Sequence, residues 1–378
     1  MFLGVSDDAR VPSGLRTAGA WSWRLLAIVG VAAVVIWLVI QFKLVVIPFL
    51  IAILLAALLV PFSSFLQRHR WPKWLAITAS MLGAIALVGG LVTLVVFQIR
   101  GGWNDLVAAT LRALDDIGGW LAGPPFNLEL SDLRQTLLDW WAEFSHDTGS
   151  IWSGALSLGT TTGHVLAGLL LTLFATLFLL IDGPRIWSWF LKLFPRRARE
   201  RTDRAARTGW TTLTTFARIQ IFVAAVDAVG IGLGAWILGL FYGGFPLVIP
   251  IAVVVFLASF IPIVGALFSG TLAVFVALVY LGPIPAVIML AIVLVVQQVE
   301  GHVLQPLVMG TAVKVHPLAV VFAVAAGSLI AGIPGALFAV PLVAVMNAIV
   351  RSLATAAEEA PISQEEDRTG ETAEGGAG

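Results

Sequence analysis

The fold class this sequence predicts is all-α: a polytopic integral membrane protein with about 6–8 transmembrane helices, counted by length. Three observations predict it. Of the 378 residues, 59% are hydrophobic, and the mean hydropathy is +0.97. Charged residues make up 12%, about half the share of a typical soluble domain. Between Thr208 and Val350 there are only four formal charges: Arg218, Asp227, Glu300 and Lys314. Such a stretch has lipid as its solvent, and a charge retained in lipid is costly and points to function.

A crossing needs about 20 apolar residues. Runs of that kind lie at 23–42, 44–66, 74–97, 163–181 and 218–241. Two longer stretches, 247–281 and 317–350, are each about 35 residues, with a further run at 284–299 between them. The first run, beside Arg16 and Arg24, exceeds the apolar core of a signal peptide, lacks an obvious cleavage site and is followed at once by another run. It reads as an uncleaved anchor. The chain has no cysteine, which excludes disulfides, thiol catalysis and thiolate metal sites. Its 14 Trp suit the membrane interface.

Lys and Arg placement sets the orientation. The N-terminal tail (Arg10, Arg16, Arg24) and the linker 67–73 are basic, and Arg185–Arg207 holds eight Lys or Arg against two acids. Segment 98–160 has eight Asp or Glu against three Arg. The alternation predicts cytoplasmic termini and an external 98–160. The chain then divides into a cytoplasmic tail (1–22), three transmembrane helices (23–97), an extracytoplasmic helical segment (98–160), a fourth crossing (161–181), a basic amphipathic linker (182–217), a core with broken helices (218–352) and an acidic tail predicted to be disordered (353–378).

In the external segment Trp103, Leu106, Val107, Leu111, Leu114, Ile117 and Leu121 share one helical face. Pro124-Pro125 breaks the chain, and Ser131 suits the N-cap of a second helix. This predicts a small helical cap on the membrane. In the linker, the aromatic segment 186–194 belongs in the interface, Pro195 suits the first turn of a basic helix, and the arginines face anionic headgroups.

The two long stretches each carry a Pro/Gly break, at Ser259–Gly270 and Gly332–Pro341. Proline removes a helical hydrogen bond and glycine permits a turn. Broken backbone at membrane depth needs cover from protein or a water-filled cavity, and paired breaks of this kind point to a transporter's substrate site. Two topologies fit: re-entrant hairpins, or single tilted or broken crossings. Length favours hairpins.

At these residues the chain resembles the autoinducer-2 exporter (AI-2E) family of bacterial transporters. The matching strings are Phe216-Ala-Arg-Ile-Gln220, Phe260-Ile-Pro-Ile-Val-Gly265 and the run Gln297–Gly310, then His316-Pro-Leu318 and the series Gly327, Gly332, Gly335, Pro341. The likeness covers roughly residues 20–355. Where the family often has Asn after the glutamate, this chain has Gly301-His302. The resemblance implies a homo-oligomeric inner-membrane transporter that exports a small autoinducer-2-like signal or exchanges Na⁺ for H⁺.

The candidate coupling residues are Glu300, Gln297, Asp227, Arg218 and Gln220. Gln297 and Glu300 share a helical face. A carboxylate there serves a proton or, with Gln carbonyl oxygens, a transient Na⁺; no resident metal or cofactor is expected. Asp227 lies nine residues into its crossing. At a helix centre an Asp costs about 2.5–3.5 kcal/mol, so it must be neutral, paired or facing a cavity. Arg218 reads as a snorkelling interface residue with Glu300 or a lipid phosphate as partner. Pro262, Gly265, Pro306, Gly310, His316, Pro317, Pro334, Gly335 and Pro341 are candidates for shaping the backbone along a substrate path. Gly230, Gly232, Gly234 and Gly239 read as helix-packing positions. A nucleotide loop would require a preceding strand.

The sequence therefore predicts a secondary transporter rather than an enzyme. Its partners are the bilayer, a small solute and H⁺ or Na⁺, with no nucleic acid. The alternative is a passive oligomeric channel or a membrane scaffold. No catalytic pairing at helical spacing supports an intramembrane enzyme.

Overall fold

The computed structural model describes residues 13–122, 159–261, 264–304 and 317–374. Among them every regular element is a helix: α1 (Ser13–Gln41), α2 (Lys43–Arg68), α3 (Lys73–Ala122), α4 (Gly159–Leu191), α5 (Arg196–Phe241), α6 (Val248–Ala258), α7 (Val264–Leu281), α8 (Pro283–Val299), a π turn (Glu300–Leu304) and α9 (Pro317–Glu374). Seven helical segments are long and apolar enough to cross a membrane. Large apolar side chains lie exposed along them, for example Trp23, Phe97 and Phe241. The chain is a multi-pass membrane protein.

The first unit is held by α2, which packs on α3 and α4. Its buried face is small (Ala52, Ala56, Ala57, Ser63), as helix pairs in lipid require for close approach. The Thr172 hydroxyl donates to Gly168 O at 2.8 Å and reaches across to Pro48 O at 3.4 Å. Near Pro184, α4 kinks at Asp182, and Lys73 Nζ donates to Ile181 O just before the kink at 2.6 Å.

Helix α3 runs for 50 residues, roughly 75 Å at 1.5 Å per residue. The third apolar run therefore continues unbroken into the start of the acidic segment. Gly102 sits near Leu247, at the start of the first long stretch. The Pro124-Pro125 break and the second external helix lie outside the described residues. At the other end of the chain, helix is assigned through to Glu374, where composition predicts no order. Ala, Glu and Gln favour helix, and extending an existing helix costs little.

Both long stretches turn back on themselves. In the first, α6 and α7 pack together around a break that opens at 259–261. Gly265 lies so close to Ala258 that a Cβ there would meet the Ala258 carbonyl. In the second, α9 has non-helical backbone at Ala331 and Gly332. Gly332 has φ +62° and ψ −142°, a region that only glycine enters freely. Across that turn the backbones of Gly327 and Gly335 touch. Residues eight apart in one straight helix are about 12 Å apart, so α9 is two arms, 317–330 and 333–374. The hairpins α6–α7 and α9 are called hairpin 1 and hairpin 2 below. Arm α6, with 11 residues, measures roughly 16 Å, about half of a hydrocarbon core.

Candidate functional site

Helix α5 is the axis on which the site is built. Its buried residues include Ala217, Gln220, Ala224, Asp227, Ile231, Ala235 and Leu238, spaced by three and four so that one stripe faces the protein. The hairpins dock on this stripe in sequence order. Phe245 and Ala252, leading into and along hairpin 1, pack against Gly239 and Gly232. Its tip reaches Asp227 and Gln220. From the other end, Val345 and Ile349 of hairpin 2 pack against Gly209. Ala336, Ala339 and Val340 then cluster with Phe216, joined by Ile261 from the tip of hairpin 1. The hairpins thus approach from opposite ends of α5, and their inner ends converge beside residues 216–227.

Ser259 is the residue of the first break that α5 grips. Gln220 Nε2 donates to Ser259 O at 2.6 Å. Ser259 Oγ stands 3.1 Å from Asp227 Oδ2 and 2.8 Å from Val255 O. Gln220 and Asp227 are seven residues apart, which at 100° per residue puts them within about 20° on the helix. Asp227 is 2% exposed, and its Oδ1 is buried without a hydrogen-bond partner among the described residues. An unpaired buried acceptor is expensive, so the remaining lone pairs of this carboxyl are open to a donor or a cation.

Glu300 reaches the same place by a second route. The α5–α8 contact pairs Gly234 with Ile292 and Gly230 with Val296. Descending numbers on one helix meet ascending numbers on the other, so the pair is antiparallel. One turn further the register sets Asp227 opposite Glu300. The π turn packs on α5 and so sets the Glu300 carboxylate on the side of α5 that carries Asp227. Gln297, half-buried, precedes it by three residues on α8.

The structure therefore brings together Asp227, Gln220 and Glu300 among the sequence candidates, with Gln297 alongside. Arg218 is exposed; nine residues from Asp227 is about 180° around the helix, so it occupies the opposite face. Gly265 and Gly335 stand at the two hairpin crossings, Pro334 next to the second, and Pro341 is buried in the outgoing arm of hairpin 2. Pro317 opens α9. Pro262, Pro306, Gly310 and His316 lie outside the described residues. Ser259 is the residue of the candidate site that sequence reasoning did not single out. Its signal is a hydroxyl directly before a Pro/Gly break in an otherwise apolar run. Among the described residues no cluster of His, Asp or Glu could hold a metal ion.

Comparison with known proteins agrees with this architecture. Residues 25–355 match the AI-2E family transporter profile. The protein MT0215 of Mycobacterium tuberculosis (strain CDC 1551 / Oshkosh) is 39% identical over 347 residues, covering 92% of this chain and 93% of that protein. YueF of Bacillus subtilis (strain 168) is 25% identical over 313 residues, 80% of this chain and 82% of its own. YrrI of the same organism is 29% identical over 163 residues, 43% of this chain and 44% of its own. All three are named as candidate transport proteins. Matched over most of its length, the chain belongs to the AI-2E transporter family and is a membrane transport protein.

Proposed function

We propose that this chain is a secondary transporter of the bacterial inner membrane, with both termini cytoplasmic and copies assembled as a homo-oligomer. It exports a small autoinducer-2-like solute or exchanges Na⁺ for H⁺. Coupling runs through Asp227 and Glu300, with Gln220 and Gln297 as their polar neighbours. The observation that carries this reading is the placement of Asp227: a carboxyl buried beside a second carboxylate, at the point where two broken hairpins converge. A purely structural aspartate in lipid needs all its lone pairs satisfied, and Asp227 Oδ1 has no partner among the described residues. A passive pore needs no such pair.

The test uses the full chain in liposomes loaded with a pH dye, with an imposed Na⁺ gradient. A Na⁺-dependent proton flux is expected, and Asp227→Asn and Glu300→Gln each reduce it at least tenfold. Wild-type chain that moves no protons under a Na⁺ gradient overturns cation exchange and leaves solute export to be assayed with labelled polar solutes. Equal flux in all three proteins removes the carboxylates from the mechanism.

A further inference from the structure

We propose that Ser259 is a positioning residue that links the protonation of Asp227 to the seating of hairpin 1 on α5. The inference rests on reading Asp227 as the coupling group, and it deepens that reading by naming what the proton controls.

The geometry poses a counting problem. Ser259 Oγ carries one hydrogen and lies within bonding distance of two acceptors, Val255 O at 2.8 Å and Asp227 Oδ2 at 3.1 Å. One hydroxyl hydrogen cannot fully serve both. A hydrogen on Asp227 resolves the conflict: the acid donates to Ser259 Oγ, and Ser259 donates to Val255 O. Each bond then has its own hydrogen, and the break is held at the side chain as well as at Ser259 O, where Gln220 donates. Remove the hydrogen from Asp227, and one of these bonds is lost. A bare carboxylate is then left in a pocket where its Oδ1 already has no partner. A charge in that position draws in water or a cation, and Ser259, seated against α5, is the wall that must move to admit either. The seated hairpin is thus the protonated state.

Among the described residues, the other titratable groups near α5 can be placed. Glu300 on the π turn stands opposite Asp227 by the register of α5 against α8. Helices α6 and α8 contain no charged residue, α7 has only Tyr280 near its far end, and α9 has none before Arg351. On α2 and α4, Lys43, Arg68 and His164 lie toward the helix ends, and Asp182 and Arg185 lie at and just after the α4 kink. His302, on the π turn, is exposed.

The chain has no cysteine, so a cysteine introduced as Phe260→Cys takes a single spin label beside Ser259. The full chain is reconstituted in lipid nanodiscs, with His302→Gln in every background to silence that side chain. Label mobility is then read by electron paramagnetic resonance from pH 5 to 9. The label is expected to be immobile at low pH and mobile at high pH. Asp227→Asn, whose amide still donates to Ser259 without charge, holds it immobile throughout. Ser259→Ala abolishes the pH response, and Ser259→Thr, which keeps the hydroxyl, restores it. A pH response unchanged in Ser259→Ala overturns the proposal, as does a label with no pH response in the parent. The measurement requires no transport: a protein that titrates here but moves no protons in liposomes refutes the exchange reading and leaves this one standing.

Discussion

Asp227 and Gln220 act on one residue from one face of one helix, and their substitutions separate two kinds of effect. Gln220→Ala leaves the Ser259 carbonyl at the break without its donor, a buried loss of about 1–3 kcal/mol. Its thermal unfolding midpoint, followed by fluorescence of the chain's 14 Trp, is expected to fall by several degrees. Gln220→Glu is expected to fall further, because it puts an acceptor against an acceptor. Asp227→Asn preserves the shape of the site, so its midpoint stays close to wild type while coupled flux is lost. If Asp227→Asn melts as early as Gln220→Ala, Asp227 is a structural group. At this scale the sequence showed which polar residues lie in apolar surroundings, and so exposed Asp227, Gln220 and Glu300. It did not show Ser259: a serine is inexpensive in lipid, and its importance comes from a partner 32 residues away. Nor did spacing alone show that Asp227 and Glu300 are neighbours, since that depends on the register of α5 against α8.

The elements around that site are shaped by backbone contact. A Cβ at Gly335 would collide with the carbonyl of Gly327, and one at Gly265 with that of Ala258. Backbone has nowhere to yield, so Gly335→Ala and Gly265→Ala are expected to reduce the monodisperse yield on size-exclusion chromatography severely. Gly243→Ala serves as a comparison: its φ of +85° is strained for alanine, but nothing crowds the site. Gly234 differs again, because its neighbour is the flexible side chain of Ile292. Gly234→Ala is expected to destabilise the α5–α8 pair, and Ile292→Ala in the same chain should recover most of the loss in thermal midpoint; such coupling marks direct contact. The Pro/Gly breaks were legible as interruptions, and their length favoured hairpins. Which glycine meets which carbonyl was not legible, because chain reversal sets it.

Over the whole molecule, charge and apolar surface are sorted along the chain. The end of α4 and the turn into α5 expose Trp189 and Leu193 beside Arg196, Arg197 and Arg201, while Asp203 is engaged by Trp187 and Arg207, and Glu200 by Arg204. An apolar surface next to positive charge of this kind suits an anionic lipid face, with about 1 kcal/mol per basic residue near such a surface. Replacing Arg196, Arg197 and Arg201 together by Gln is expected to erase the thermal stabilisation that anionic phosphatidylglycerol gives over phosphatidylcholine in nanodiscs; an unchanged lipid difference refutes that role. The number of spans was readable from hydropathy, whereas the 50-residue length of α3 was not. Its second half is amphipathic rather than apolar and looks like a separate piece.

The depth of the break has an electrical consequence. Counted from Arg218, Asp227 is 9 of the 23 residue steps to Phe241, about two-fifths of the crossing by helical rise. A charge arriving there from the basic end has moved through roughly that share of the membrane potential. At 100 mV the full drop is worth about 2.3 kcal/mol per elementary charge, so the share at Asp227 is about 0.9 kcal/mol, close to a fivefold change in occupancy. If Asp227 is the coupling group proposed above, the carboxyl under hairpin 1 is also an electrode: polarising the membrane would load or empty it with no change of pH on either side.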